Sequence, residues 1–162
     1  GPLPIRTAPA NVEVLPAEGP FMPADCIFCR IAAGEAPATI IADAERTVAF
    51  LDANPLATGH TLVIPREHAE RLGDLDPETA RAVMDQLREL APAVEAAVDA
   101  EATTVAFNNG RAAGQEVPHV HAHIIPRSRG DGGGPIHAVL PGGPEGDKPD
   151  PEAIADAIAT QR

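Results

Sequence analysis

Apolar and polar positions change their period several times along the chain, and each change marks an element. Residues 38–42, 47–51 and 60–64 are short apolar runs rich in Ile, Val and Thr. Asp43, Asn54-Pro55 and Gly59 separate them, the punctuation of strands joined by tight turns. Asp76-Pro77-Glu78 then reads as an N-cap with proline at the first helical position. Behind it Ala80, Val83, Met84, Leu87, Leu90, Ala91, Val94 and Val98 fall on one helical stripe, so the spacing predicts a long amphipathic helix laid on a sheet. Pro92 inside the stripe predicts a kink or an early end. Residues 103–107 and 119–125 read as two further strands around a glycine-bearing turn over 108–115. Short helices are expected over 26–33, stopped by Gly34, and over 153–160. Strands joined by short turns with one long helix inserted predict an α+β fold with a mainly antiparallel sheet.

Two zones lack usable periodicity. Residues 1–24 hold Pro2, Pro4, Pro9, Pro16, Pro20 and Pro23 and read as a disordered arm whose Gly1-Pro2 matches the scar of a cleaved tag. Residues 129–151 contain Gly132-Gly133-Gly134 and Pro141-Gly142-Gly143-Pro144 and read as a long loop of the kind that covers a site. The expected organisation is an arm over 1–24, a folded domain over 25–128, and a Gly/Pro-rich loop with a C-terminal helix over 129–162.

Composition sharpens this picture. With 44% hydrophobic residues, 2% aromatics and neither Trp nor Tyr, the core must be aliphatic. The formal charge of −12 opposes adhesion to nucleic acid polymers or anionic membranes, so any phosphate-bearing ligand must meet a local site. No apolar run reaches the ~18 residues of a membrane span and no signal-peptide pattern opens the chain. A soluble, cytoplasmic protein is expected.

The densest chemistry lies in His119-Val120-His121-Ala122-His123-Ile124-Ile125. Strand alternation sends the imidazoles to one face at intervals of roughly 7 Å and Val120, Ala122 and Ile124 into the core. Such a row is a polar strand face, a metal site, or a catalytic set in which one imidazole attacks phosphorus while its neighbours donate to the developing charge. The preceding Asn108-Asn109-Gly110-Arg111-Ala112-Ala113-Gly114-Gln115 is a plain turn or an anion cradle. Cys26-x-x-Cys29 fits packing thiols, a redox pair or half of a metal site.

Taken in order, Cys26-Ile27-Phe28-Cys29, Phe50-Leu51-Asp52, Gly59-His60-Thr61-Leu62-Val63-Ile64-Pro65 with His68, and Gly114-Gln115-Glu116-Val117-Pro118 running into the histidine segment resemble the histidine triad nucleotide-binding family, in its bacterial Hint-like branch. The resemblance implies a five-stranded sheet carrying one long and one short helix. It implies a hydrolase or transferase that cleaves a purine nucleoside monophosphate from a phosphoramidate or adenylate-type leaving group through a nucleotidyl-histidine. By position, His121 corresponds to the nucleophile, His123 to a phosphate donor and His60 to a supporting histidine. Asn108, Gly114 and Gln115 correspond to the phosphate region, Asp52 to the ribose carboxylate, and Ile27, Phe28, Ile31 and Leu51 to the purine slot. Cys26, Cys29, His68 and His119 correspond to the ligands of a structural zinc ion. A homodimer is implied as well. The rival activities are dinucleoside polyphosphate hydrolysis and non-catalytic nucleotide or metal binding in regulation.

Glu116 departs from the pattern, standing where eukaryotic relatives carry Ser or Thr; a carboxylate there opposes anionic leaving groups and favours amines. The tail beyond Arg129 also departs, and neither His137 nor Arg66, Arg111, Arg127 or Arg129 receives a role.

Overall fold

The computed structural model describes residues 25–162. The chain divides after Asp131 into two compact units. In chain order the first unit contains α1 (Ile27–Ala32), β1 (Ile40–Asp43), β2 (Thr47–Leu51), β3 (Thr61–Pro65), α2 (Pro77–Val98), β4 (Ala102–Phe107) and β5 (Ala122–Arg127). The strands form one sheet in the order β1-β2-β3-β5-β4, and every neighbouring pair is antiparallel. This is the predicted α+β architecture.

The sheet is apolar on both faces because its central strands are buried on both. Val48, Phe50, Leu62 and Ile64 pack with Phe28 and Ile31 of α1. The alternate residues Ala49, Val63, Ala122 and Ile124 pack with Val83, Leu87 and Val94 of α2. Period-two alternation assigns each side chain to its face, and all five residues of β3 are buried, which is why that strand reads as an unbroken apolar run.

Asp76 caps α2 by accepting from the Glu78 N–H, with Pro77 in the first turn. Pro92 does not end the helix, which runs on to Val98. Pro92 lies on the exposed face, so the carbonyl its ring leaves unbonded is on the solvent side of the helix. The buried face of α2 departs from the predicted stripe: Ala80, expected on it, is exposed, while Thr79 is buried. Met84 is 62% exposed, whereas Gln86 is buried, because the Gln86 amide oxygen accepts from Thr47 Oγ1 at 3.2 Å and so turns α2 onto β2.

The last strand is shorter than the sequence predicts: it begins at Ala122, not at position 119. Residues 119–121 precede it and are tied elsewhere, with Val120 N–H donating to Ala69 O at 2.8 Å. Val120 joins Ala69 and Leu75 in a separate small cluster.

The second unit holds one short 3-10 turn, Ile136–Ala138, and α3 (Pro151–Gln161), capped by Asp150. Its Ile136, Val139, Leu140, Ile154 and Ile158 are all exposed. Among the described residues no helix is long and apolar enough to cross a membrane.

Candidate active site

α1, the β2–β3 connection, the β4–β5 connection and the histidine segment together wall a cavity of about 1220 Å³. Ile27, Phe28, Ile31 and Leu51 line its apolar part, with Leu56 and Val117. Asp52, His60, Asn108, Gly114, Glu116, His121 and His123 supply the rest of the chemistry. Among the described residues no Lys or Arg lines it.

Hydrogen bonding fixes where the imidazole protons sit. His121 Nδ1 lies 2.8 Å from the His119 carbonyl oxygen. A carbonyl only accepts, so Nδ1 carries the proton and neutral His121 keeps its lone pair on Nε2. The Leu56 N–H donates to His60 Nδ1 at 3.1 Å, which places the proton of neutral His60 on Nε2. That proton points at His123 Nδ1, 2.9 Å away, with Asp52 Oδ2 at 3.5 Å. His123 Nδ1 therefore accepts and its own proton sits on Nε2. That Nε2 is the one buried side-chain polar atom without a partner among the described residues. A buried donor left open costs free energy, and a ligand acceptor removes that cost.

The two rings stand side by side, with centroids 5.1 Å apart. One presents a lone pair, the other an N–H. Burial holds both His60 and His123 in the neutral form this chain requires. It pushes His60 below the usual imidazole value against the pull of Asp52. It pushes His123 down to about 4, helped by the neighbouring His121 and His60.

The loop before the histidines is built on main-chain contacts. Gly110 has φ +104, and a Cβ there would meet the guanidinium of Arg71. Gly114 has φ +99 and lies against Asn108. Gln115 is buried and lies outside the cavity lining. Its Oε1 accepts from Gly110 N–H at 2.7 Å, and Nε2 donates to Glu70 O and Val117 O at 2.7 and 3.0 Å. Both amide protons are committed, so Gln115 shapes the loop that presents Asn108 and Gly114.

His119 parts company with His121. Its Nε2 lies 2.9 Å from the Pro65 carbonyl, which leaves the lone pair on Nδ1, aimed at Cys26 Sγ at 3.4 Å, Cys29 Sγ at 3.5 Å and His68 Nδ1 at 3.2 Å. His68 Nδ1 is 3.3 Å from Cys29 Sγ. All four ligand atoms lie within 4.8 Å of one another. A tetrahedral zinc ion with ordinary bond lengths spaces its ligands about 3.3–3.8 Å apart, so the donor set fits such an ion. Cys26 Sγ also accepts from the Cys29 N–H at 3.4 Å. Burial pushes the Cys29 thiol up to about 12, reinforced by Cys26; a bound cation reverses that preference. Phe28, between the two cysteines in sequence, sets its ring edge against both His119 and His121, with centroids 5.9 and 5.0 Å away.

Three positioning groups escaped the sequence reading: the Leu56 N–H, the Pro65 carbonyl and the His119 carbonyl. Main-chain groups leave no residue-type signal. The Phe28 contact with His121 did have one, its place inside the C-x-x-C turn. The unassigned arginines lie outside the cavity: Arg66 is bound to Asp43, Ala32 O and Ala44 O, and Arg127 to Asp131 and Thr104.

Comparison with known proteins agrees with the fold. A HIT-like protein of Methanocaldococcus jannaschii is 44% identical over 66% of this chain and 82% of its own length. The adenosine 5'-monophosphoramidase of Schizosaccharomyces pombe is 41% identical over 63% of this chain and 74% of its own. Among solved structures, a HIT-family protein from Bacillus subtilis superposes with a TM-score of 0.72 at 36% identity, covering 85% of this chain and 97% of that one. A zinc-bound histidine triad protein from Mycobacterium smegmatis gives 0.64 at 39%, covering 67% and 79%. Residues 33–130 match the HIT domain, a span that holds the whole sheet and all three alternating histidines, and the chain accordingly belongs to the histidine triad (HIT) family.

Proposed function

We propose that the cavity binds a purine nucleoside monophosphate joined to a leaving group and breaks that bond through a covalent intermediate on His121. The observation that carries this reading is the pairing of a lone pair on His121 Nε2 with the unpartnered buried N–H of His123. In the proposed reaction, the Nε2 lone pair forms the bond to the α-phosphorus. The phosphorus–leaving-group bond breaks, and the departing amine takes a proton from water at the mouth. The His119 carbonyl, which accepts from Nδ1, offsets the positive charge that His121 acquires. His123 Nε2–H donates to a non-bridging oxygen, and water then attacks phosphorus and releases the monophosphate. Positioning and charge stabilisation supply most of what such a displacement demands.

In this reading Asp52 also accepts from the ribose hydroxyls and the apolar part holds the base. A volume of about 1220 Å³ exceeds that of ordinary small-molecule pockets, leaving room for a leaving group beyond the nucleotide. The phosphoramidase name of the Schizosaccharomyces pombe relative supports the same bond class. Cys26, Cys29, His68 and His119 would hold a structural zinc ion, which supplies a cross-link between α1 and the histidine segment. The zinc-bound Mycobacterium smegmatis neighbour supports it, and free thiols of this kind suit a reducing cytoplasm. Homodimerisation is part of the reading; β4, an outer strand with Val105 43% exposed, offers an edge for it.

The test compares His121→Ala and His121→Asn with the parent on adenosine 5'-phosphoramidate. Turnover should fall by about 10³-fold or more while adenosine monophosphate still binds, and acid-labile adenylyl-histidine should form in the parent alone. A His121→Ala protein that hydrolyses at the parent rate overturns the proposal.

A further inference from the structure

We infer that Glu116 makes this cleft selective for leaving groups that carry a positive charge, so that its substrates are nucleoside phosphoramidates of amines bearing a second, distal ammonium. The inference rests on the phosphoryl-transfer reading above and names the substrate class of that same site.

The argument starts from the charges that line the cavity. Among the described residues its ionisable groups are two carboxylates, Asp52 and Glu116, and three histidines. Of the nearby arginines, Arg71 is bound to Asn109 O and Arg66 and Arg127 as described above, whereas Arg111 is exposed in the turn before Glu116 and does not line the cavity. Asp52 is turned inward: Oδ1 accepts from the Asn54 N–H at 2.8 Å and Oδ2 lies near His60. Glu116 has neither arrangement. It is exposed, it follows directly on the Gly114–Gln115 turn, and it makes no hydrogen bond or ion pair among the described residues.

A phosphoramidate brings one negative charge to the phosphorus, which the neutral donors of the cavity can meet. A polyphosphate chain brings several more into a cleft lined by no Lys or Arg among the described residues, in a protein whose formal charge is −12. Repulsion disfavours it on approach and in place. A leaving group with a distal ammonium reverses the sign of that term at Glu116. Because Glu116 is exposed, its contribution is that of a solvent-screened pair, and roughly a 2- to 5-fold preference is expected.

The experiment measures kcat/KM on adenosine 5'-phosphoramidates of putrescine, of pentylamine, and of an amine of equal length ending in a carboxylate. The parent protein should rank them in that order. Glu116→Gln should bring the ratios toward one, Glu116→Lys should invert them, and half-molar salt should flatten the parent's ranking by screening. Equal putrescine-to-pentylamine ratios in the parent and in Glu116→Gln overturn the inference while the hydrolase reading stands. A parent that binds adenosine monophosphate yet cleaves none of the three compounds overturns the hydrolase reading, and this inference with it.

Discussion

The main-chain carbonyl of His119 accepts the Nδ1 proton of His121 at 2.8 Å, while the ring of the same His119 lies 3.4 Å from Cys26 Sγ and 3.2 Å from His68 Nδ1. One residue thus belongs by its side chain to the Cys/His cluster and by its backbone to the proposed nucleophile. Disturbing the cluster should therefore be felt at His121. Replacing Cys29 with Ala, or removing metal with a chelator, is expected to cost on the order of several kcal/mol and to lower Tm by about 10 °C or more. Metal analysis should find one zinc per chain in the parent and little in the variant, and turnover should fall with zinc content. Equal zinc content in both proteins would remove the cluster from consideration.

In the proposed reaction His60 acts through His123, whose tautomer it sets. His60→Ala should lower kcat by about 10- to 100-fold and change KM far less. Nitrogen chemical shifts of His123 give the readout that a merely structural role would leave unmoved: the parent should show Nε2–H almost exclusively, the variant a mixture of both tautomers.

Acid should destabilise the fold through the buried imidazoles. Burial depresses the folded-state value of His123 to about 4 and that of His60 below its ordinary position, whereas both titrate near ~6.5 when unfolded. A depressed folded value means that the unfolded chain binds more protons in this window. The stabilisation is complete above about pH 6.5 and disappears as pH falls toward about 4. Urea unfolding at a series of pH values should show that loss, and His123→Gln should have a shallower slope between pH ~6.5 and ~4 than the parent. Parallel slopes would show that His123 titrates alike in both states.

The turn before the histidines has a requirement of its own. A Cβ at Gly110 would collide with Arg71 Nη2, and its φ of +104 is one that L side chains rarely adopt. Gly110→Ala should cost about 1–3 kcal/mol in urea unfolding and weaken monophosphate binding, because the same residue's N–H is held by Gln115. An unchanged midpoint would mean that the loop relaxes without strain.

Much of the fold is legible in the chain because hydrophobic periodicity carries it. The β2 strand matches its predicted bounds, and α2 keeps its predicted cap at Asp76. Where the reading misses, a specific interaction overrides the pattern. Gln86 replaces Met84 on the buried face because Thr47 is there to bond it. Alternation placed three imidazoles on one face but was blind to their division of partners, since His119 is claimed by thiols and His121 by a carbonyl. Gln115 looks like a ligand contact in one dimension, and only the fold reveals that both of its amide protons are spent on Glu70 and Val117.

Sheet polarity adds a last expectation. Leu87 is 3% exposed and packs through Val63 and Ala122 on the side away from His121. Leu87→Ala should cost about 2–5 kcal/mol with kcat at ordinary temperature within a factor of about 2. A large fall in kcat would show that the α2 layer reaches the histidines.

That two-faced sheet lets robustness and reactivity drift apart over generations. Lineages facing heat or cold can repack the α2 side, while the opposite side, crowded with donors whose protons are each dictated by a neighbour, tolerates few replacements.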